Sequence, residues 1–524
     1  MNWGWAGLLC ACLAGVAPGV ASAAPPAPAA GTAPDVSSEA PSDTPSDERW
    51  ADAPERATRR LLRDPALRGA RVGVSIVDLA SGRPVFERES HRLMVPASNL
   101  KLLVGAAALR QWGPTYRFET PVLAEAGPDA NGVIEGPLWI IGRGDPSLVS
   151  ESLWKMAEEI RLLGVREIRG GIAVDGSHFD RLRTHPDWEP VTRRAYEAPT
   201  SAFAVNYSSF RIEVSGAPEA GGKARLQTAP RVTYFRTRSD ALTLASGDVM
   251  ELEIGRLPDG TGEHVVVRGV FPLGDEPRTF WRSVELPELY AASVLRAQLE
   301  SQGVRVSGPI RFGPAPAGAR ELLRFEGEPV ARIVQLLNKW SNNFVAEQLT
   351  KLLGAERHGG PARWETGRQA LAEFLEQIGV GRDQAVISDG SGLSARNRIS
   401  PAALVAVLRA GATDPASGPE FLASLPLGGL DGTLEDRMQE VTQPVRGKTG
   451  HLRHVSSLTG ILPGTDGRTL VFSVLVNGAR GGPLDVDAAL DAFVARLLGP
   501  PASETAEGAE GGERARGAQS ASGD

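Results

Sequence analysis

The sequence predicts an α/β protein whose main domain is split by a β-rich insertion. Three observations predict it. A β-hairpin signal and a helix open the body of the chain, and a second hairpin signal and helix close it. Between about Thr115 and Phe325 the texture changes to short β-type runs broken by Gly, Pro and Asp turns. The chain has 524 residues and is 42% hydrophobic, enough for a sizeable core and two to four domains at roughly 100–200 residues each.

The first residues address the compartment. Leu8 to Val20 is apolar, and Ala21-Ser22-Ala23 has the small residues of a signal-peptidase site, although no Lys or Arg precedes it. Residues 1–23 are therefore predicted to be a signal peptide, and the mature protein to be secreted or periplasmic. The apolar run is too short to remain as a span. Both cysteines, Cys10 and Cys12, lie inside it. A lipid anchor at Cys12 fits poorly because the preceding apolar run is short. Without residues 1–23 the chain has no disulfide, no thiol nucleophile and no Cys-based metal site. Residues 24–48 are rich in Pro, Ala, Ser and Thr and predict a disordered linker. Residues 500–524 predict a disordered tail on the same grounds.

The body opens with Arg71-Val-Gly-Val-Ser-Ile-Val-Asp78, then Ser81-Gly82, then Pro84 to Glu87, which predicts a hairpin. Ala97 to Arg110 predicts a helix. In the middle, β-type runs at 133–141, 172–174, 211–214, 249–254 and 265–270 alternate with turns, and helices are predicted at 153–163 and 289–302. From Pro329 to Leu353 a helical period returns, with Ile333, Leu336, Leu337, Trp340, Phe344 and Leu349 on one side. Runs at 456–462 and 470–476 predict the second hairpin, and 488–498 the last helix. The division that follows is 49–116 with 325–499 as one split domain. Residues 117–324 are the insertion, with a nested β subdomain near 209–285.

Net charge is −7 with both signs interspersed. No basic stripe suggests nucleic acid, and no later segment spans a bilayer, so membrane contact is at most peripheral. The seven histidines form no His-Glu-x-x-His pattern, no phosphate loop follows Gly142-Arg-Gly144, and neither metal nor cofactor is expected.

Lysine usage points to chemistry. Lys and Arg total 56, and only six are Lys: Lys101, Lys155, Lys223, Lys339, Lys351 and Lys448. A chain that meets ordinary needs for a cation with Arg keeps Lys where a removable proton matters, unless the six are chance survivors of a compositional bias. Lys101 stands three residues after Ser98, in Pro96-Ala-Ser98-Asn-Leu-Lys101. At a helix start these positions share a face, so a neutral amine could take the hydroxyl proton. Ser152-Leu-Trp-Lys155 has the same spacing, but it lacks the preceding Pro-Ala and lies in the insertion, where Ser152 reads as a helix N-cap.

Two further clusters follow. Ser341-Asn342-Asn343 interrupts an apolar helical stretch, as residues lining a site do, although a plain helix break gives the same pattern. Lys448-Thr449-Gly450 precedes a β-run, where a cation, a hydroxyl and a glycine on an edge strand could hold a carboxylate with a peptide alongside. An ordinary turn is the competing reading. Together and in this order, the three are the set that marks class A β-lactamases and penicillin-binding proteins.

On these residues the chain resembles the D-alanyl-D-alanine carboxypeptidase/endopeptidases known as class C low-molecular-mass penicillin-binding proteins. The resemblance covers about residues 50–500. It also rests on Gly144-Asp-Pro-Ser-Leu148, Asp389-Gly-Ser-Gly-Leu-Ser394 and the long insertion between Lys101 and Ser341. It implies a penicillin-recognising serine transpeptidase/β-lactamase-like domain and a D,D-peptidase acting on peptidoglycan peptides, with β-lactams as inhibitors. Ser98 would be acylated, Lys101 would be its base, and Ser341 with Lys448 would pass a proton to the leaving nitrogen. Asn343 would bind the substrate amide, and Thr449 the terminal carboxylate. The backbone N–H groups of Ser98 and His451, beside Gly450, would form the oxyanion hole. Asp389, Ser391 and Ser394 would shape the wall. His451 replaces the small residue usual after Lys-Thr-Gly, and Asp187-Trp188-Glu189-Pro190 stands where the family carries an acidic residue after a Trp. A β-lactamase and a non-catalytic peptidoglycan-binding protein are the alternative readings.

Overall fold

The computed structural model describes residues 53–498, apart from 189–191, 246, 248, 442, 465 and 466. The predicted signal peptide with Cys10 and Cys12, the linker, the tail and Glu189-Pro190 lie outside the described residues.

The predicted α/β class holds. The central sheet has five antiparallel strands in the order Pro84–Arg88, Arg71–Asp78, Thr469–Asn477, Val455–Pro463, Arg446–Leu452. Its middle strands are buried almost end to end, because helices cover both faces. The alternation of a strand divides their side chains. Phe472, Val474 and Val476 point into a core with Leu490 and Phe493 of the last helix, Pro483–Leu498, and with Ala57 and Leu61 of the first. Val471 and Leu475 point the other way, into a core with Leu103, Leu404 and Leu408. Each such side chain, once buried, contributes roughly 1.5–3 kcal/mol.

The chain leaves this unit along strand Arg117–Ala124 and returns along Arg320–Pro329, and the two strands pair antiparallel. They close a second five-stranded sheet with Leu138–Ile141, Ile172–Asp175 and Ile310–Phe312. That sheet shares a separate core with helices Ser150–Leu162 and Pro287–Ser301. Between Ser209 and Ser283 lie two smaller sheets of three and four strands.

Several predicted elements change form. The run at 133–141 is two strands, Val133–Ile134 and Leu138–Ile141, because Gly136-Pro137 falls between them and Pro brings no N–H to a ladder. The helix expected from Ala97 begins as a 3-10 turn, Ala97–Leu100, and becomes α-helical only over Lys101–Trp112. The single helical stretch at 329–353 is two helices, Val330–Lys339 and Asn343–His358. Ser341 has φ +55, which ends the first helix, and Asn342 caps the second by accepting from Val345 N at 3.1 Å. Trp340, expected on the apolar side, is 46% exposed at this break.

Candidate active site

Ser98 and Asn343 both sit at helix starts, and the Ser98 turn packs against the edge strand of the central sheet. Ser98 stands in the 3-10 turn, and Lys101 opens the helix behind it. The Lys101 amine lies 3.0 Å from Ser98 Oγ, 2.7 Å from Asn343 Oδ1 and 2.6 Å from the Ser391 carbonyl oxygen. Lys101 is fully buried. Burial pulls its amine down to about 7, while the Asp389 and Glu347 carboxylates pull it back up. A base of that strength is half neutral near neutral pH and is within reach of the hydroxyl proton.

The turn that carries Ser98 is pinched between two glycines. A Cβ on Gly450 would stand 2.8 Å from Ser98 N and 2.9 Å from Pro96 O. A Cβ on Gly392 would stand 1.9 Å from Ala97 O, and Gly392 has φ +80. Ala97 itself is held at φ +49, a conformation that costs energy for a residue with a side chain. Ser457 Oγ donates to Pro96 O at 2.7 Å, which ties the turn to the neighbouring strand.

Strand Arg446–Leu452 carries the third cluster. Lys448 is fully buried, and its amine donates to the Thr449 carbonyl at 2.8 Å. Burial first, and the Lys101 charge second, push it well below the usual lysine range. The Thr449 hydroxyl donates to Thr433 Oγ1 at 2.8 Å. The His451 side chain leaves the site and pairs with Asp487 of the last helix at 2.8 Å. Ser341 is half-buried beside Asn342, and its hydroxyl has no hydrogen bond among the described residues. Asn343 Nδ2 donates to the Tyr196 carbonyl at 2.9 Å, so the turn Ala195–Glu197 reaches this corner.

Asp389 and Ser391 belong to the loop that packs against the Ser98 turn at Gly392. Asp389 is buried and accepts from Gly392 N, Ser394 N, Asn397 Nδ2 and the Trp188 indole N–H at 2.6–2.9 Å. It organises its own loop. Ser391 acts through its backbone, since its carbonyl takes the Lys101 amine. Asp187 Oδ2 accepts from the hydroxyls of Ser388 and Ser394, and Oδ1 pairs with Arg396 at 2.7 Å. The stretch around Trp188 thus docks on the 388–396 loop.

The remaining predicted anchors fall elsewhere. In Gly144-Asp-Pro-Ser-Leu148, buried Asp145 accepts from Ser147 N and Oγ, and the Gly144 carbonyl accepts from Gln348 Nε2 at 3.1 Å. None of these contacts involves Ser98, Lys101, Ser341 or Lys448. Ser152 accepts from Val149 N at 3.3 Å, as an N3 residue rather than the expected N-cap, and Lys155 is exposed. Sequence reasoning missed Glu347, Asn397, Ser457 and Thr433. Glu347 had a signal: it lies four residues after Asn343, on the same helical face, as a carboxylate among Phe344, Val345 and Leu349. Among the described residues, no group of three or more His, Cys, Asp or Glu side chains is placed to hold a metal ion.

The model of the D-Ala-D-Ala carboxypeptidase 3 (S13) family matches residues 56–497. The chain belongs to that family. This serine carboxypeptidase is 36% identical, over 85% of each chain, to a D-alanyl-D-alanine carboxypeptidase from an Actinomadura species. It is 23% identical to the D-alanyl-D-alanine carboxypeptidase DacB of Haemophilus influenzae, over 80% of this chain and 87% of that one. Its fold matches the crystal structure of penicillin binding protein 4 from H. influenzae with a TM-score of 0.72 at 23% identity, over 85% of this chain and 98% of that one.

Proposed function

We propose that Ser98 is the nucleophile of this carboxypeptidase, that Lys101 is its base, and that the substrate is a D-alanine-ended peptidoglycan peptide outside the cytoplasm. The observation that carries this reading is the buried Lys101 amine at 3.0 Å from Ser98 Oγ. Ser98 Oγ attacks the carbonyl of the penultimate D-Ala while its proton passes to Lys101. The backbone N–H groups of Ser98 and His451 receive the developing oxyanion, an interaction worth about 3–4 kcal/mol in serine enzymes. The C–N bond then breaks, and Ser341, backed by Lys448, delivers the proton to the departing nitrogen. Water hydrolyses the acyl-enzyme and frees Ser98.

Asn343 binds the substrate amide, and Thr449 with Lys448 holds the terminal carboxylate when there is one. A cross-bridge amine can leave in place of D-Ala, which makes endopeptidase action a second mode of the same site. The apolar run 8–20 ahead of Ala21-Ser22-Ala23 supports export. Among the described residues no helix is long and apolar enough to cross a membrane. We also read 49–116 with 325–499 as the catalytic domain and 117–324 as the insertion, since one sheet draws strands from both ends of the chain. Inhibition by β-lactams is expected, and penicillin binding protein 4 of H. influenzae is known in complex with one.

The test is to incubate the mature protein with a penicillin and map the adduct by peptide mass spectrometry. A penicilloyl group on Ser98 that persists for minutes is expected. No adduct, with no β-lactam consumed, would overturn the assignment.

A further inference from the structure

The Lys101 amine is held by two partners besides Ser98, and both trace back to one helix. Asn343 Oδ1 holds it directly at 2.7 Å. The Ser391 carbonyl holds it at 2.6 Å, and that carbonyl belongs to a loop gripped by Glu347, one turn beyond Asn343. Ser391 N donates to Glu347 Oε1 at 2.7 Å, and Gly390 N to Oε2 at 3.1 Å. The Trp364 indole N–H donates to the same Oε2 at 2.7 Å. Glu347 is fully buried, so three N–H donors replace its water. The loop is pressed onto the helix as well: a Cβ on Gly390 would stand 1.9 Å from Thr350 Oγ1 and 2.9 Å from Ala346 O.

We propose that Glu347 is a positioning residue of the acyl transfer: by gripping Gly390 and Ser391 it makes the Ser391 carbonyl hold the Lys101 amine against Ser98. The inference rests on the reading of Lys101 as base. A buried carboxylate is a costly way to fasten a loop. Its place here is explained by what it fastens and by the charge that it brings near the amine. Lys101 is faced by Glu347 from the helix, Asp389 from the loop and Lys448 from the strand, and Lys351 stands one turn beyond Glu347. Burial and then the Asp389 charge push Glu347 up to about 7, against the hydrogen bonds from Ser391, Trp364 and Gly390. Its charge in turn favours the protonated form of Lys101. Removing that charge lowers the pH at which Lys101 becomes neutral. An amide at this position also turns an N–H toward at least one of the three N–H donors, which loosens the loop.

The experiment measures penicillin acylation of Ser98 from about pH 5 to about pH 9 in the wild type, Lys101→Ala, Glu347→Gln and Glu347→Asp, with melting temperatures alongside. Glu347→Gln is expected to lower the plateau rate roughly tenfold to hundredfold, as small misplacements of a catalytic group do. Its acid limb is expected at lower pH than in the wild type. Glu347→Asp keeps the charge, so the plateau falls while the limb stays in place. If Glu347→Gln does not fold, this lowered plateau with an unmoved limb carries the test. A plateau and limb equal to wild type in both variants, with only a lower melting temperature, would make Glu347 purely structural and overturn the proposal. Lys101→Ala acylating as fast as wild type would instead sink the reading of Lys101, and the inference with it.

Discussion

The Lys101 amine lies closer to the Ser391 carbonyl, at 2.6 Å, than to the Ser98 hydroxyl, at 3.0 Å. Its firmest contact is therefore with a group that cannot accept a full proton, which leaves the amine fixed in space but free to exchange its proton with Ser98.

Lys101→Arg tests the proton rather than the charge. A guanidinium keeps its proton at any working pH, so acylation should fall by about 10²–10⁴-fold, the usual contribution of a general base. The measurement is the rate of Ser98 adduct formation at saturating penicillin. A loss smaller than a few fold would mean that another group takes the proton.

The acylation rate should rise with pH through the titration of Lys101. Below about 7 the amine is protonated and cannot accept the Ser98 proton; above it the amine is free to do so. The sign is that of a base whose pKa burial has lowered. Stopped-flow acylation across this range should show an acid limb centred near that value. A flat profile would argue that Lys101 titrates far from neutrality.

Gly392→Ala and Gly450→Ala should both abolish turnover. At Gly392 the added methyl meets Ala97 O at 1.9 Å in a left-handed conformation, and at Gly450 it meets Ser98 N at 2.8 Å. Either displaces the turn that carries Ser98. D-Ala release should drop to background, and Gly392→Ala should also melt at lower temperature. Retained activity in either variant would mean that the turn gives way more readily than its packing implies.

Ser152→Ala and Lys155→Ala should leave acylation unchanged. This pair copies the Ser-x-x-Lys spacing, but Ser152 bonds only to Val149 N and Lys155 is exposed. A loss of stability of about 0.5–1.5 kcal/mol for Ser152→Ala is the expected cost of one lost hydrogen bond, read from denaturant unfolding.

Trp188→Phe removes one of four donors from buried Asp389 and leaves the other three in place. About 0.5–1.5 kcal/mol of stability should be lost, the usual net worth of one hydrogen bond. Because the loop also carries the Ser391 carbonyl, the acylation rate should fall with it. Stability lost without any change in rate would separate Asp389 from the placement of Lys101.

What was legible in the sequence is what the backbone repeats locally. The hairpin at 71–88 and the helix at 150–162 follow from alternation, turn residues and helical period. The scarcity of lysine was informative too, since Lys101, Lys351 and Lys448 are fully buried and Lys339 nearly so. The helix break at Ser341 was visible as polarity but not as geometry, because a left-handed φ is uncommon for a serine and no local pattern announces it. Asn397 and Thr433 were hidden for a related reason, and the spacing of Glu347 from Asn343 gave its face but not its partners. Their importance comes from partners in other segments, such as Trp364, Asp389 and Thr449, which no spacing rule connects. The outward turn of His451 toward Asp487 depends likewise on the last helix.

Strand Arg71–Asp78 is flanked by Pro84–Arg88 on one side and by Thr469–Asn477 on the other. During synthesis, the second neighbour leaves the ribosome long after the first. Until then an early strand waits with one edge unpaired, and Lys448 and Gly450 have not reached Ser98. Such distant pairing is slow and exposes the waiting edge to wrong partners. It also means that an unfinished chain carries Ser98 without the strand that brings Lys448 and Gly450 to it. An enzyme assembled in this order stays inert until strand Thr469–Asn477 has been made.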